Sequence, residues 1–216
     1  MIIQAFPSGP FETNAYIAAC PHTNKAAVID PAPGSFSLLV SYLENNHLNP
    51  TVILITHSHW DHIGDAAAVK AKYQIPLYIH PLDAENLESP GADGLPCWID
   101  IPGTIPTNLV KEEDVIPVGD LLFSVIDTPG HTPGGVCFYC RTENVLFSGD
   151  TLFKGTIGNL SFSTGRPALM WPSLAKLALL PPETKVYPGH GATTTIGNER
   201  WLNKAKELFG REFGEA

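Results

Sequence analysis

The chain has 216 residues, 44% of them apolar, and a net charge of −9. That length and composition suit one sizeable α/β domain spanning 1–216 with a full core, and they argue against global disorder. The acidic balance lacks the electrostatic footprint of a nucleic-acid binder and offers no attraction to an anionic membrane surface.

In chain order, the opening Met1-Ile2-Ile3-Gln4-Ala5-Phe6-Pro7 carries neither a basic region nor a long apolar run, which predicts a cytoplasmic chain without a secretory leader. No stretch approaches membrane-spanning length. Short apolar runs at 14–19, 26–29, 52–55 and 77–79 read as buried strands. Between them, Phe36, Leu39, Val40 and Leu43 recur at i, i+3, i+4, i+7, one face of a helix. An alanine-rich stretch over 65–73 predicts a second helix. Residues 81–106 hold Pro81, Pro90, Pro96, Pro102 and Pro106 and read as a long turn-rich excursion, either a lid or a plain surface loop. Strand-like runs return at 121–126, 136–139, 145–147 and 185–187, with a helix over 169–179. Trp201, Leu202, Ala205, Leu208 and Phe209 predict a closing amphipathic helix packed on the domain's own sheet, with Asn198 as N-cap. Cys137 and Cys140 form a C-x-x-C on a strand, where residues three apart face opposite ways, so they read as packing residues. Cys20 and Cys97 stand in no pattern.

The densest chemical signal is Thr56-His57-Ser58-His59-Trp60-Asp61-His62, directly after the run at 52–55. Imidazoles suit zinc, iron and copper, and carboxylates favour harder ions such as manganese. So many metal-competent side chains at one strand end are hard to explain as packing. His131, Asp150 and His190 stand in equivalent places, each after an apolar run and a glycine. In α/β sheets the loops beyond the carboxyl ends of strands can gather such residues at one edge. His22, His47 and His80 lack this context and read as structural or surface residues. Seven ligand-type groups are too many for one tetrahedral ion. They suit two ions roughly 3.5–4 Å apart that share a carboxylate.

His57-x-His59-x-Asp61-His62, followed by His131, Asp150 and His190, resembles the metal signature of the metallo-β-lactamase superfamily over nearly the whole chain. Gly149-Asp150-Thr151-Leu152-Phe153, Tyr187-Pro188-Gly189-His190-Gly191 and Thr195-Ile196-Gly197-Asn198-Glu199-Arg200 are most similar to its short glyoxalase II-like branch. The resemblance implies an αββα sandwich. It implies one ion held by His57, His59 and His131, a second held by Asp61, His62 and His190, and Asp150 as the bridge. Two divalent ions are expected, zinc first, with iron or manganese as alternatives. The implied activity is hydrolysis of a small acyl compound by a hydroxide between the ions, most naturally a thioester such as S-lactoylglutathione. Asp61 would also orient the hydroxide and take its proton. Asp30, at the end of the run at 26–29, resembles the family's outer aspartate that orients a ligand histidine. A simple turn aspartate before Pro31 fits equally well.

The chain departs from glyoxalase II proper in two places. Only a short tail follows His190, where that family carries a helical domain with cationic contacts to glutathione. Asn159 also stands where an arginine is usual in the short relatives. Lys154 and Arg166 remain candidate anion contacts, and each reads equally well as a solvated surface cation. The expected partner is a small-molecule substrate, not a nucleic acid or membrane, and the oligomeric state is left open. The competing readings are an iron-dependent persulfide dioxygenase using His57, His131 and Asp150, a nuclease that the charge disfavours, and a non-enzymatic metal-binding protein.

Overall fold

In the computed structural model, which describes residues 1–213, the strands form two six-stranded sheets. The first runs in chain order through β1 (Ile2–Ser8), β2 (Thr13–Ala19), β3 (Lys25–Ile29), β4 (Asn49–Leu54), β5 (Leu77–Ile79) and β6 (Asn108–Leu109). The second runs from β7 (Val115–Val118) through β8 (Leu121–Asp127), β9 (Val136–Cys140), β10 (Val145–Gly149) and β11 (Lys185–Pro188) to β12 (Thr194–Thr195). Hairpin neighbours pair antiparallel. The steps β3–β4, β4–β5, β5–β6 and β10–β11 are parallel, each needing a crossover. Helices supply most of these: α1 (Phe36–Asn45) joins β3 to β4, and α2 (Trp60–Ile63) with α3 (Ala66–Tyr73) joins β4 to β5. Next come α4 (Pro81–Glu88), α5 (Pro167–Leu177) between β10 and β11, and α6 (Ala205–Phe209).

The layering follows from side-chain alternation along the strands. In β2, Ala15, Ile17 and Ala19 face Leu39 and Leu43 of α1 and Val69 of α3, while Tyr16 and Ala18 face the other sheet. In β9, Val136, Phe138 and Cys140 point into the space between the sheets, and Cys137 and Tyr139 point to Met170, Leu174 and Leu177 of α5. Three apolar layers therefore separate helix, sheet, sheet and helix, the expected αββα sandwich. Cys137 and Cys140 do lie on opposite faces, and neither is in a disulfide. No helix among the described residues is long and apolar enough to cross a membrane.

Three local expectations need correction. The excursion over 81–106 begins with a helix: Pro81 opens α4, and the His80 ring caps it by accepting from the Leu82 N–H. The closing helix is broken into short turns, 3-10 pieces at Ile196–Asn198 and Leu202–Lys204 before the short α6. Its predicted cap is displaced too, since Asn198 only donates its N–H to Thr195 Oγ1. The cause is the buried Glu199, whose carboxylate accepts from Thr194 Oγ1, the Gly155 N–H and the Trp201 indole. Satisfying that charge fixes 199–201 outside a regular helix. Strands β1 and β7 were not expected, and both are sheet-edge strands containing a proline, Pro7 and Pro117.

Candidate metal centre

All seven expected ligands meet at one edge of the sandwich. His57, His59, Asp61 and His62 come from the segment after β4 and from α2, His131 follows β8, Asp150 follows β10 and His190 follows β11. Three groupings bring their ligand atoms within 4.8 Å of one another: His57 with His59 and His131, His57 with His62 and Asp150, and Asp61 with His62 and His190. Asp150 touches both ends of this array. Its Oδ1 lies 3.3 Å from His62 Nε2, and its Oδ2 lies 3.5 Å from both His131 Nε2 and His190 Nε2. Asp61 Oδ2 lies 3.5 Å from His62 Nε2 and 3.3 Å from His190 Nε2.

Whether the donor set fits a metal is decided by the other ring nitrogens. His57 Nδ1 sits 3.1 Å from Thr56 Oγ1, and His62 Nδ1 sits 3.0 Å from Asp30 Oδ2. His131 Nδ1 donates to the Asn159 carbonyl at 2.7 Å, and His190 Nδ1 donates to the Phe11 carbonyl at 3.0 Å. His59 is turned the other way, with Nε2 at 3.1 Å from Thr164 Oγ1. Every candidate ligand histidine thus has one nitrogen held by an oxygen and turns the other into the centre, the arrangement that fixes tautomer and ring plane in metal sites. Conversely, His57 Nε2, His62 Nε2, His131 Nε2 and Asp150 Oδ1 are buried without a hydrogen-bond partner. Buried polar atoms are rarely left so, and a pair of divalent ions would satisfy all four.

Charge in the metal-free centre is divided between its two ends. Burial, reinforced by His62, holds the His57 ring well below the usual imidazole range, and burial with His131 holds His59 down to about 3. Burial also lowers His131. At the other end, burial favours the neutral His190 ring, but hydrogen bonds to Asp150 and Asp61 outweigh it and raise the ring to about 9. His62 is raised as well, burial being overcome by Asp61 and Asp150. Burial opposes charge on Asp61, yet His62 and the bonds from His190 and Thr13 lower it to about 2. His57, His59 and His131 therefore offer neutral rings, while His62 and His190, beside the Asp61 carboxylate, hold protons that an incoming cation would displace.

Residues beyond the expected ligands complete the site. Asp30, in the left-handed region at φ 45°, accepts from the Thr56 N–H and Oγ1 as well as from His62, so it is bonded to the His62 ring rather than serving only as a turn residue. Thr13 Oγ1 donates to Asp61 Oδ2 at 2.7 Å. Asp83 of α4, buried, accepts from the Ser58 and Gly134 N–H groups and so ties two ligand loops together. No motif marks Thr13 or Asp83, and Thr164 and the carbonyls of Phe11 and Asn159 carry no sequence signal at all. Gly189 packs so closely that a Cβ there would collide with Asp150 Oδ1 and with the His62 ring. His22 and His47 lie outside the centre, His22 beside Asp120 and Cys20 at the β2–β3 turn. A cavity of about 470 Å³ opens over His59, Asp61, His131, Asp150 and His190. Lys154 and Arg166 do not line it, and Arg166 is turned onto the carbonyls of Ser163 and Gly165.

The sequence profile of the metallo-beta-lactamase superfamily matches residues 8–190, a span that includes every candidate ligand. The hydroxyacylglutathione hydrolase GloC of Haemophilus influenzae is 32% identical over 210 residues, covering 94% of this chain and 97% of its own length. Among solved structures, the BLEG-1 B3 metallo-beta-lactamase superposes with a TM-score of 0.83 at 37% identity, over 92% of this chain and 96% of that one. TTHA1623 in a di-iron-bound form gives 0.80 at 36% identity, over 93% and 98%.

Proposed function

The chain belongs to the metallo-β-lactamase superfamily, and from that premise we propose that it hydrolyses a small acyl compound, a thioester first among them, with two divalent ions. The observation that carries this reading is the pairing of free, buried ligand atoms with oriented second nitrogens around one carboxylate, Asp150. When bound, two such ions lower the pKa of a water from 15.7 towards about 7 and polarise an acyl carbonyl. His57, His59 and His131 would hold one ion, Asp61, His62 and His190 the other, and Asp150 both. Asp61 lines the cavity and is held as a carboxylate by Thr13, His62 and His190. From that position its part would be to orient the attacking water by accepting a hydrogen bond and to take its proton. No serine or cysteine nucleophile is required. The GloC resemblance supports a thioester, and the di-iron form of TTHA1623 is a reason to test iron beside zinc.

The test is elemental analysis of gently purified protein, followed by kcat/KM for S-lactoylglutathione and a truncated thioester, with metal-stripped protein as control. Two metal equivalents and metal-dependent turnover are expected, and contacts that bind substrate and transition state alike appear as a lower KM. A single equivalent of iron, unchanged by added zinc and accompanied by oxygen consumption with a persulfide, would replace hydrolysis with the dioxygenase.

A further inference from the structure

The ligands form only the floor of the cavity. Its walls are Phe11, Trp60, Trp98, Phe153 and Phe162. Three of these meet although they come from three separate segments: Phe11 lies 5.2 Å from Trp60 and 5.9 Å from Trp98, and Trp60 lies 5.8 Å from Trp98, centroid to centroid. Phe162 stands edge-on to His59 at 5.7 Å, and Phe153 stands edge-on to His190 at 5.9 Å. The aromatic surface therefore reaches down to the ligands. Trp98 is 70% exposed, Phe11 47% and Phe162 39%, a concentration of bare aromatic faces around one concavity. Such a patch usually marks a binding surface, because a ligand that covers it removes apolar area from water.

The wall is also held in place. Asn86 Oδ1 accepts from the Gly91 and Asp93 N–H groups, Asp93 Oδ1 accepts from the Leu95 N–H, and Ser163 Oγ donates to the Asp93 carbonyl. These bonds tie the segment bearing Leu95, Pro96 and Trp98 to α4 and to the segment bearing Phe162. Among the described residues no lysine or arginine lines the cavity, and the only charge-bearing groups there are the ligands themselves. Beyond the metal centre on the floor, an anionic peptide such as glutathione would find no cationic side chain on the wall, and the chain's own charge of −9 would oppose it.

We propose that this wall is a subsite for an uncharged aryl group next to the scissile acyl bond, so that aryl thioesters are preferred over anionic peptide thioesters. The inference rests on the hydrolase reading for its chemistry but not for its binding. In the reaction, the oxygen of water bonds to the acyl carbon and the C–S bond breaks with its electron pair going to sulfur. The two protons of water end on the thiol and the carboxylic acid.

The test separates binding from turnover. Tryptophan fluorescence of metal-loaded protein is titrated with thioanisole and with S-methylglutathione, neither of which can be hydrolysed. Thioanisole should bind at least about tenfold more tightly. Trp98→Ala and Phe162→Ala should each weaken it by about two- to twelvefold, the range of one aromatic contact, while Trp98→Phe should retain it. Trp98→Lys should shift preference towards S-methylglutathione. Equal or tighter binding of S-methylglutathione by the unaltered protein, or thioanisole binding unchanged in both alanine variants, would overturn the proposal. Turnover is read separately, as kcat/KM for phenyl thioacetate against S-lactoylglutathione, with phenyl thioacetate expected to lead. If neither is hydrolysed while thioanisole binding behaves as described, the hydrolase reading fails and the aryl subsite stands.

Discussion

Asp150 spans the two halves of the centre, with one oxygen facing His62 and the other facing His131 and His190. Asp150→Ala should therefore impair both metal equivalents, whereas His190→Ala should weaken mainly one, by more than the roughly 10–100-fold that loss of an outer partner costs. Metal titration of each variant decides it, and equal loss in the two would contradict the bridge. The divided protonation gives a second residue-scale prediction. His190, at about 9, keeps its proton through neutral pH in the metal-free protein, and a metal must displace it. Affinity for one equivalent should then fall up to about tenfold per pH unit below about 9. Affinity at His57, His59 and His131 should be flat there, because those rings are already neutral. Calorimetric titration at pH 6 and 8, in buffers of different ionisation heat, reads both the affinities and the protons released. The candidate ligands were legible because histidine and aspartate at strand ends announce themselves by type. The acceptors that orient them were not, because a threonine hydroxyl or a backbone carbonyl acquires that role only when the fold places it beside a ring.

At the scale of elements, the strands with both faces buried were the easiest to read. β2, β3 and β9 are covered by a helix layer on one side and a sheet on the other, so they stand out as continuous apolar runs. β1 and β7 sit at sheet edges with half-exposed patterns, and α4 has almost no apolar face to announce it. Yet α4 braces the centre, because the buried Asp83 carboxylate holds Ser58 and Gly134 in register. Asp83→Ala would strand two buried N–H groups, at a cost on the order of 2–4 kcal/mol. It should lower both the denaturant midpoint and metal affinity, and a variant with unchanged metal affinity would show that α4 is only a surface element. β9 supports a different test. Burial pushes the Cys137 thiol up to about 12, and the side chain is enclosed beneath α5. In a native-state alkylation followed by mass spectrometry, half-buried Cys97 should label well before Cys137, which should react only on unfolding.

Across the whole molecule the centre lies on the seam between the two sheets. His57, His59, Asp61 and His62 come from the first sheet's loops, and His131, Asp150 and His190 from the second's. The seam also has contacts of its own that need no metal. The Asn14 N–H donates to the Gly189 carbonyl at 2.7 Å, the Val136 N–H to the Thr56 carbonyl at 2.9 Å, and the Tyr16 hydroxyl to the Pro188 carbonyl at 2.7 Å. Together with the apolar layer between the sheets, they should keep the chain folded after chelation, unlike small domains whose core is the metal. The loaded protein should nevertheless be more stable. Free metal at a hundred times its dissociation constant adds about 2.7 kcal/mol, which for a chain of this size raises Tm by about 5–10 °C. The difference should also depend on pH. In stripped protein the His190 pairing with Asp61 and Asp150 stabilises the fold fully below the ordinary imidazole value and is lost as pH rises through about 9. Metal affinity strengthens over the same interval, because fewer protons compete. The gap in Tm between loaded and stripped protein should therefore widen from pH 6 to pH 9 and should vanish in Asp150→Ala. Calorimetric scans at the two pH values, with and without chelator, read it directly. A gap that narrows with rising pH would mean that the paired protons are not where the metal binds.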